Sequence, residues 1–117
     1  MREPNAAGQP LARQRCAPQS GAPLDAAALA RLQAEVPQWL IDGSGAGATL
    51  SRCFQFADFH HTMAFVNAVA WIAHEQDHHP DMQVSYNRCT VRFSTHSVGG
   101  ISVNDFICAA KLDAALV

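Results

Sequence analysis

Apolar positions recur along this chain with two periods, and each change of period marks a change of element. In LDAAALARLQAEV, Leu29, Leu32 and Val36 fall at helical spacing behind Asp25, a capping residue, and Pro37 stops the run. This predicts a first helix over about 26–35. Trp39, Leu40 and Ile41 then precede the turn-forming DGSGAG. ATLSRCFQF follows with Leu50, Arg52, Phe54 and Phe56 on one parity, the pattern of a strand, a turn and a second strand. Asp58 opens a longer segment in which Phe59, Met63, Val66, Val69 and Ala73 recur at three- and four-residue steps, an amphipathic helix that must end by Pro80. MQVSYN and CTVRFSTH both alternate, with Asn87-Arg88 as the turn between them. After the glycine loop SVGGIS, VNDFICAAKLDAAL closes the chain as a third helix.

The order helix, two strands, helix, two strands, helix predicts an α+β fold: a four-stranded antiparallel sheet with three helices packed on one face. Residues 1–23 mix Pro, Gly, Gln and Ala without periodicity, so they are expected to be a disordered extension ahead of a single domain over 24–117. Apolar residues of both parities on the strands call for cover beyond three helices, so association into at least a dimer is expected.

Composition narrows the function. A formal net charge of -2 in 117 residues lacks the positive field with which nucleic-acid binders and anionic-membrane binders meet their partners. Neither partner is expected. No apolar run approaches the roughly 20 residues that span a bilayer. The four cysteines are scattered without a C-x-x-C pair, as reduced thiols of a cytoplasmic protein would be.

The chemistry concentrates in HEQDHHP, residues 74–80. Its first five letters spell H-E-x-x-H, in which two histidines one helical turn apart hold zinc and the glutamate between them is the general base. The extended form of that pattern needs glycine and histidine where this chain has Asp81 and Val84. His96 is the one candidate third ligand, and a chain this short leaves little room for a peptide cleft. No metal is expected.

Read further, the same heptapeptide belongs to a longer ordered set: DHHP, the YN turn, STH at Ser94 to His96, and GGIS followed two residues later by Asp105. This set resembles the pterin-4a-carbinolamine dehydratase family, from about Leu24 to Leu116. The resemblance implies four antiparallel strands and three helices assembled as a homodimer or homotetramer. It also implies loss of water from 4a-hydroxytetrahydropterin to give quinonoid dihydropterin, in tetrahydrobiopterin recycling, with no cofactor. An aromatic amino-acid hydroxylase would be the functional associate. Expelling hydroxide from carbon 4a needs an acid, and the adjacent ring nitrogen needs a base to take its proton; imidazole titrates in the right range for both. By this resemblance His78 and His79 are the acid/base pair, with His96 facing the same pocket. His74, Asp77, Ser94, Thr95, Ser97 and Asp105 would bind substrate, Asp105 by orienting a histidine.

Two positions depart from the family pattern. Many members have glutamate where this chain has His74 and an aromatic where it has Met82; the first substitution creates the H-E-x-x-H spelling. A non-catalytic dimeric interaction module is the second reading, since some animal relatives also bind a transcription factor, but such a module would be expected to have lost part of the histidine set. His60 and His61 match no motif position and are expected on the surface. Trp39, Trp71 and Phe93 are expected in the core or at a subunit interface.

Overall fold

Each helix begins where a short polar side chain can accept a hydrogen bond from the first turn. Asp25 accepts from the Ala28 N–H ahead of α1 (Ala26–Gln33), Asp58 from the His61 N–H ahead of α2 (Phe59–Gln76), and Ser102 from the Asn104 N–H ahead of α3 (Val103–Ala115). Asp105 completes a capping box on α3 by accepting from the Ser102 N–H. Caps of this kind are worth about 1 kcal/mol each. These elements come from a computed structural model, which describes Asn5 and residues 8–116.

The strands β1 (Leu40–Asp42), β2 (Thr49–Gln55), β3 (Asp81–Val84) and β4 (Arg88–Phe93) form one antiparallel sheet in the order β1-β2-β4-β3. The fold is therefore α+β, three helices with a four-stranded antiparallel sheet. Leu50 lies opposite Phe93 and Phe54 opposite Cys89, and with Val91 these side chains form the buried face. Trp39, Phe106, Ile107 and Leu112 close over it. On β2 and β4 the other parity is polar or solvent-facing, with Cys53, Gln55, Arg88 and Arg92 exposed. Apolar residues do not occupy both faces of the central strands as expected. What stays uncovered is the edge: Met82 shares the inner face with its partner Val91, yet it is 37 % exposed where Val91 is 0 %.

Three details differ from the sequence reading. The buried stripe of α2 is Thr62, Phe65, Val69, Ala73 and Gln76, which keeps the expected Val69 and Ala73 but in the first half of the helix is turned by one position, with Thr62 and Phe65 in place of Met63 and Val66. Phe65 sets this phase by packing on Phe54 and Phe56, with centroids 4.5 and 5.1 Å away, while Phe59 lies outside and stacks on Tyr86. The β3–β4 turn runs from Ser85 to Arg88, closed by the Ser85 N–H on the Arg88 carbonyl, so Tyr86-Asn87 is its centre rather than Asn87-Arg88. The third difference lies before α1.

Residues 8–23, expected to be disordered, are packed on the domain, and residues 1–4, 6 and 7 lie outside the described residues. Leu11, in a 3-10 turn over Leu11–Arg13, and Cys16 are both buried. Lys111 donates to the Ala12 carbonyl, and Asn104 takes both the N–H and the C=O of Ala17. The physical reason is α3. Residues 104–109 are buried without interruption, which one sheet face cannot achieve, since a helix apolar all round must be covered all round. The leading segment supplies that cover.

After β4 the chain reverses in a loop pinned at Thr95 and Gly100, which exchange backbone hydrogen bonds. A Cβ at Gly100 would collide with the Gly45 carbonyl oxygen and sit 2.8 Å from Pro23 Cβ. Gly100→Ala should therefore lower the unfolding free energy by about 1–3 kcal/mol, in the range of overpacking. An unchanged urea midpoint would show that the loop has slack.

Candidate active site

The site forms where α2 ends. Gln76 is its last residue, and Asp77 takes a left-handed conformation, φ 51 and ψ 44, the single non-glycine residue with positive φ among those described. Aspartate is one of the few side chains that tolerate this region. The His78 N–H then turns back to the Ala73 carbonyl, closing the helix end. His78 thus leaves the helix and lays its ring parallel to Phe93, centroids 5.9 Å apart at 9°.

This orientation brings His78 Nε2 to 2.6 Å from Asp105 Oδ1. Asp105 is fully buried, and its other oxygen accepts from the Thr95 hydroxyl at 2.8 Å and the Ser102 N–H at 2.9 Å. Thr95 gives its one proton to the carboxylate, so at 2.6 Å the Ser102 hydroxyl must donate to Thr95, while Ser102 Oγ accepts from the Asn104 N–H. Among the described residues no buried side-chain nitrogen or oxygen lacks a partner. Burial pulls the His78 pKa down, but the hydrogen bond and the charge of Asp105, with smaller contributions from Cys16 and Asp77, outweigh it and leave it above the ordinary 6.5.

His78 opens onto a cleft of about 660 Å³ that also gathers Asp77, His79, Ser94, Thr95, His96 and Ser97. Seven of the nine residues singled out in the sequence therefore line one cavity. His74 does not line it. It is exposed beside Trp71, with ring centroids 6.0 Å apart. The left-handed turn at Asp77 breaks the helical phase, so a spacing of four no longer puts positions 74 and 78 on a common face. Asp105 does not line the cleft either and acts from behind His78. Thr95 borders it with its hydroxyl turned inward.

The same turn removes the geometry that H-E-x-x-H requires, because its second histidine is no longer on the helix. Among the described residues, no three His, Cys, Asp or Glu side chains converge as a metal-ligand group.

The remaining wall was not legible. Cys16, Ala17, Pro18, Gln19, Gln76 and Asn104 complete the cleft, four of them from the segment read as disordered. Cys16 Sγ lies 3.6 Å from Cys108 Sγ, and this contact holds the Cys16 thiol below its ordinary pKa and raises that of Cys108. The signal that could have exposed this wall was the uninterrupted burial demand of α3.

Comparison with known proteins identifies the family. The family model for pterin 4 alpha carbinolamine dehydratase matches residues 22–115. A protein of Stenotrophomonas maltophilia (strain K279a), provisionally named pterin-4-alpha-carbinolamine dehydratase, is 57% identical over 107 residues, 90% of each chain. One of Xanthomonas oryzae pv. oryzae (strain MAFF 311018), named in the same way, is 56% identical over 104 residues, covering 87% of this chain and 86% of its own. A crystal structure of a transcriptional coactivator/pterin dehydratase from Brucella melitensis superposes with a TM-score of 0.71 at 29% identity, over 79% of this chain and 96% of that one. A pterin dehydratase-like RuBisCO assembly factor of the alpha-carboxysome shares the fold, at a TM-score of 0.57 and 22% identity. The chain belongs to the pterin-4a-carbinolamine dehydratase family.

The raised pKa of His78 has a defined sign. Its contribution to stability is full below about 6.5, the ordinary value, and is lost as pH rises through the higher folded-state value. Titration by two-dimensional NMR should place His78 above 6.5 in the wild type. In Asp105→Asn, burial acts without the counter-charge, and the value should fall below 6.5. An unchanged value would mean that Asp105 does not set the ionisation of His78.

Proposed function

We propose that this protein is a 4a-hydroxytetrahydropterin dehydratase, converting the carbinolamine to quinonoid dihydropterin and water in the recycling of tetrahydrobiopterin. The observation that carries this reading is the pairing of His78 with buried Asp105 at the wall of a cleft that His79 and His96 share. His78, whose pKa the Asp105 carboxylate raises, is the general acid. With Nε2 committed to Asp105, its Nδ1 is left to donate to the 4a hydroxyl. The carbon–oxygen bond breaks as water leaves, the lone pair of the adjacent ring nitrogen forms the new double bond, and His79 takes the proton of that nitrogen. One proton enters and one leaves, so neither a redox partner nor a cofactor is required.

His96 and the hydroxyls of Ser94 and Ser97 bind the polar edge of the pterin, and Asp77 contributes at the same rim. A hydroxylase of aromatic amino acids would supply the substrate. No helix among the described residues is long and apolar enough to cross a membrane, and we take the protein to act in the cytoplasm. Self-association as a dimer or tetramer fits β3, an edge strand whose four residues are all exposed, with Met82 and Val84 uncovered. A monomer in sedimentation at micromolar concentration would remove that part of the reading.

The interaction-module reading has a structural neighbour in its favour, since the related Brucella melitensis protein is described as a transcriptional coactivator as well as a pterin dehydratase. Kinetics with freshly generated 4a-hydroxytetrahydropterin separates the two. His78→Ala and His79→Ala should each cost about a hundredfold or more in rate, the range of general acid–base contributions. His74→Ala and Glu75→Ala, outside the cleft, should change the rate by less than about threefold, and dialysis against a strong chelator should change nothing. A wild-type protein without turnover would defeat the enzyme reading, and loss of turnover in Glu75→Ala with a silent His79→Ala would revive the zinc hydrolase.

A further inference from the structure

The wall contributed by Cys16, Ala17, Pro18 and Gln19 precedes residue 22, where the family match begins, so it lies outside the region that the family model describes. It is nevertheless attached at defined points. The Cys16 N–H donates to Gln76 Oε1 at 2.9 Å, from the last residue of α2. Asn104, in the first turn of α3, accepts from the Ala17 N–H at 3.1 Å and donates to the Ala17 carbonyl at 2.8 Å. Both anchors are themselves buried, Gln76 at 6 % and Asn104 at 6 % exposure; Gln76 ends α2 two residues before His78, and Asn104 directly precedes Asp105 in α3. The elements that position the imidazole therefore also position this segment.

We propose that residues 16–19 are a ligand-binding wall that sets affinity and selectivity for the pterin, and that Asn104 is the positioning residue that holds it. That the ligand is a pterin rests on the dehydratase reading; the docking of the wall does not. The wall offers no imidazole or carboxylate, and the Cys16 thiol is engaged by the Asn104 carbonyl and by Cys108, each at 3.6 Å. Proton transfer is thus left to the histidines. What the wall presents is a small apolar surface at Ala17 and Pro18 for the face or side chain of a heterocycle. Beside it Gln19, with its amide N–H on the Ala17 carbonyl, has its own carbonyl to accept from a ring or amino N–H. Contacts of this kind hold ground state and transition state alike, so their loss raises KM and spares kcat.

Two variants of the full chain test this. Asn104→Ala releases the wall, and Ala17→Phe leaves it docked but fills the cleft from a solvent-facing position where a larger side chain disturbs no core. Each should raise KM about tenfold or more, equivalent to about 1.4 kcal/mol, with kcat within about twofold of wild type. Asn104→Asp, which keeps the acceptor for the Ala17 N–H, should lie between. Trypsin should cut after Arg13 or Arg15 faster in Asn104→Ala and at the wild-type rate in Ala17→Phe. Wild-type KM in Ala17→Phe, or wild-type cleavage in a folded Asn104→Ala, would overturn the proposal. Should the wild type fail to turn over the carbinolamine, the dehydratase reading falls and the wall is judged by fluorescence titration with 7,8-dihydrobiopterin. Weaker binding in Ala17→Phe supports it, while equal binding, or none in the wild type, overturns it.

Discussion

A single buried carboxylate ties this structure together. Removing the Asp105 carboxylate from water costs several kcal/mol, and only a full set of donors offsets that. The donors come from three places in the chain: His78 after α2, Thr95 after β4, and the Ser102 N–H at the start of α3. Hydrogen bonds to a charged group contribute about 1.5–3 kcal/mol each, so three of them are of the size needed. Removing any one leaves a buried charge short of a partner. The helix cap, the loop that carries Ser94 to Ser97 and the orientation of His78 are therefore one arrangement, and the chemistry of the cleft rests on a group that the cleft does not expose.

The same carboxylate explains how burial and ionisation are reconciled at His78. Desolvation alone would keep the ring neutral, which suits a base. A fixed negative charge at 2.6 Å outweighs desolvation and raises the His78 pKa, while the second imidazole of the cleft, His79, stands exposed to solvent. Two adjacent histidines thereby stand in different surroundings, and the proposed dehydration, which donates one proton and removes another, would draw on that difference. Phe93 contributes by fixing the plane of the ring, since its parallel stacking restricts the rotation that would break the Asp105 contact.

Much of this was legible in the sequence because it depends on local signals. Asp25 and Asp58 announce helix starts, Pro37 and Pro80 bound helices, and alternation identifies β2 and β4. The ordered set of DHHP, STH and Asp105 names residues that the fold does bring together. What escaped was decided by tertiary packing. The phase of α2 follows from Phe65 meeting Phe54 and Phe56, a contact between elements that periodicity cannot weigh. Residues 8–23 lack any periodic signal because they form no α-helix or strand, only the short 3-10 turn at Leu11–Arg13; they are held by side chains reaching them from α2 and α3. Low periodicity marks absence of secondary structure, and here it was mistaken for absence of order.

The position of His74 outside the cleft has a different origin and is the more instructive one. Counting four residues from 74 to 78 assumes a continuous helix, and the count fails because one residue, Asp77, reverses the sign of its φ. After that reversal His74 stays on the outer surface of α2 with Trp71, and His78 swings toward α3. A zinc site would need the helix to continue through position 78, whereas the Asp105 pair needs it to stop at 76. The two uses of HEQDHHP thus demand incompatible backbones, and Pro80 favours the second, because proline disfavours helical conformation in the residue before it. The short helix end is what turns a metal-binding spelling into a histidine paired with a buried carboxylate.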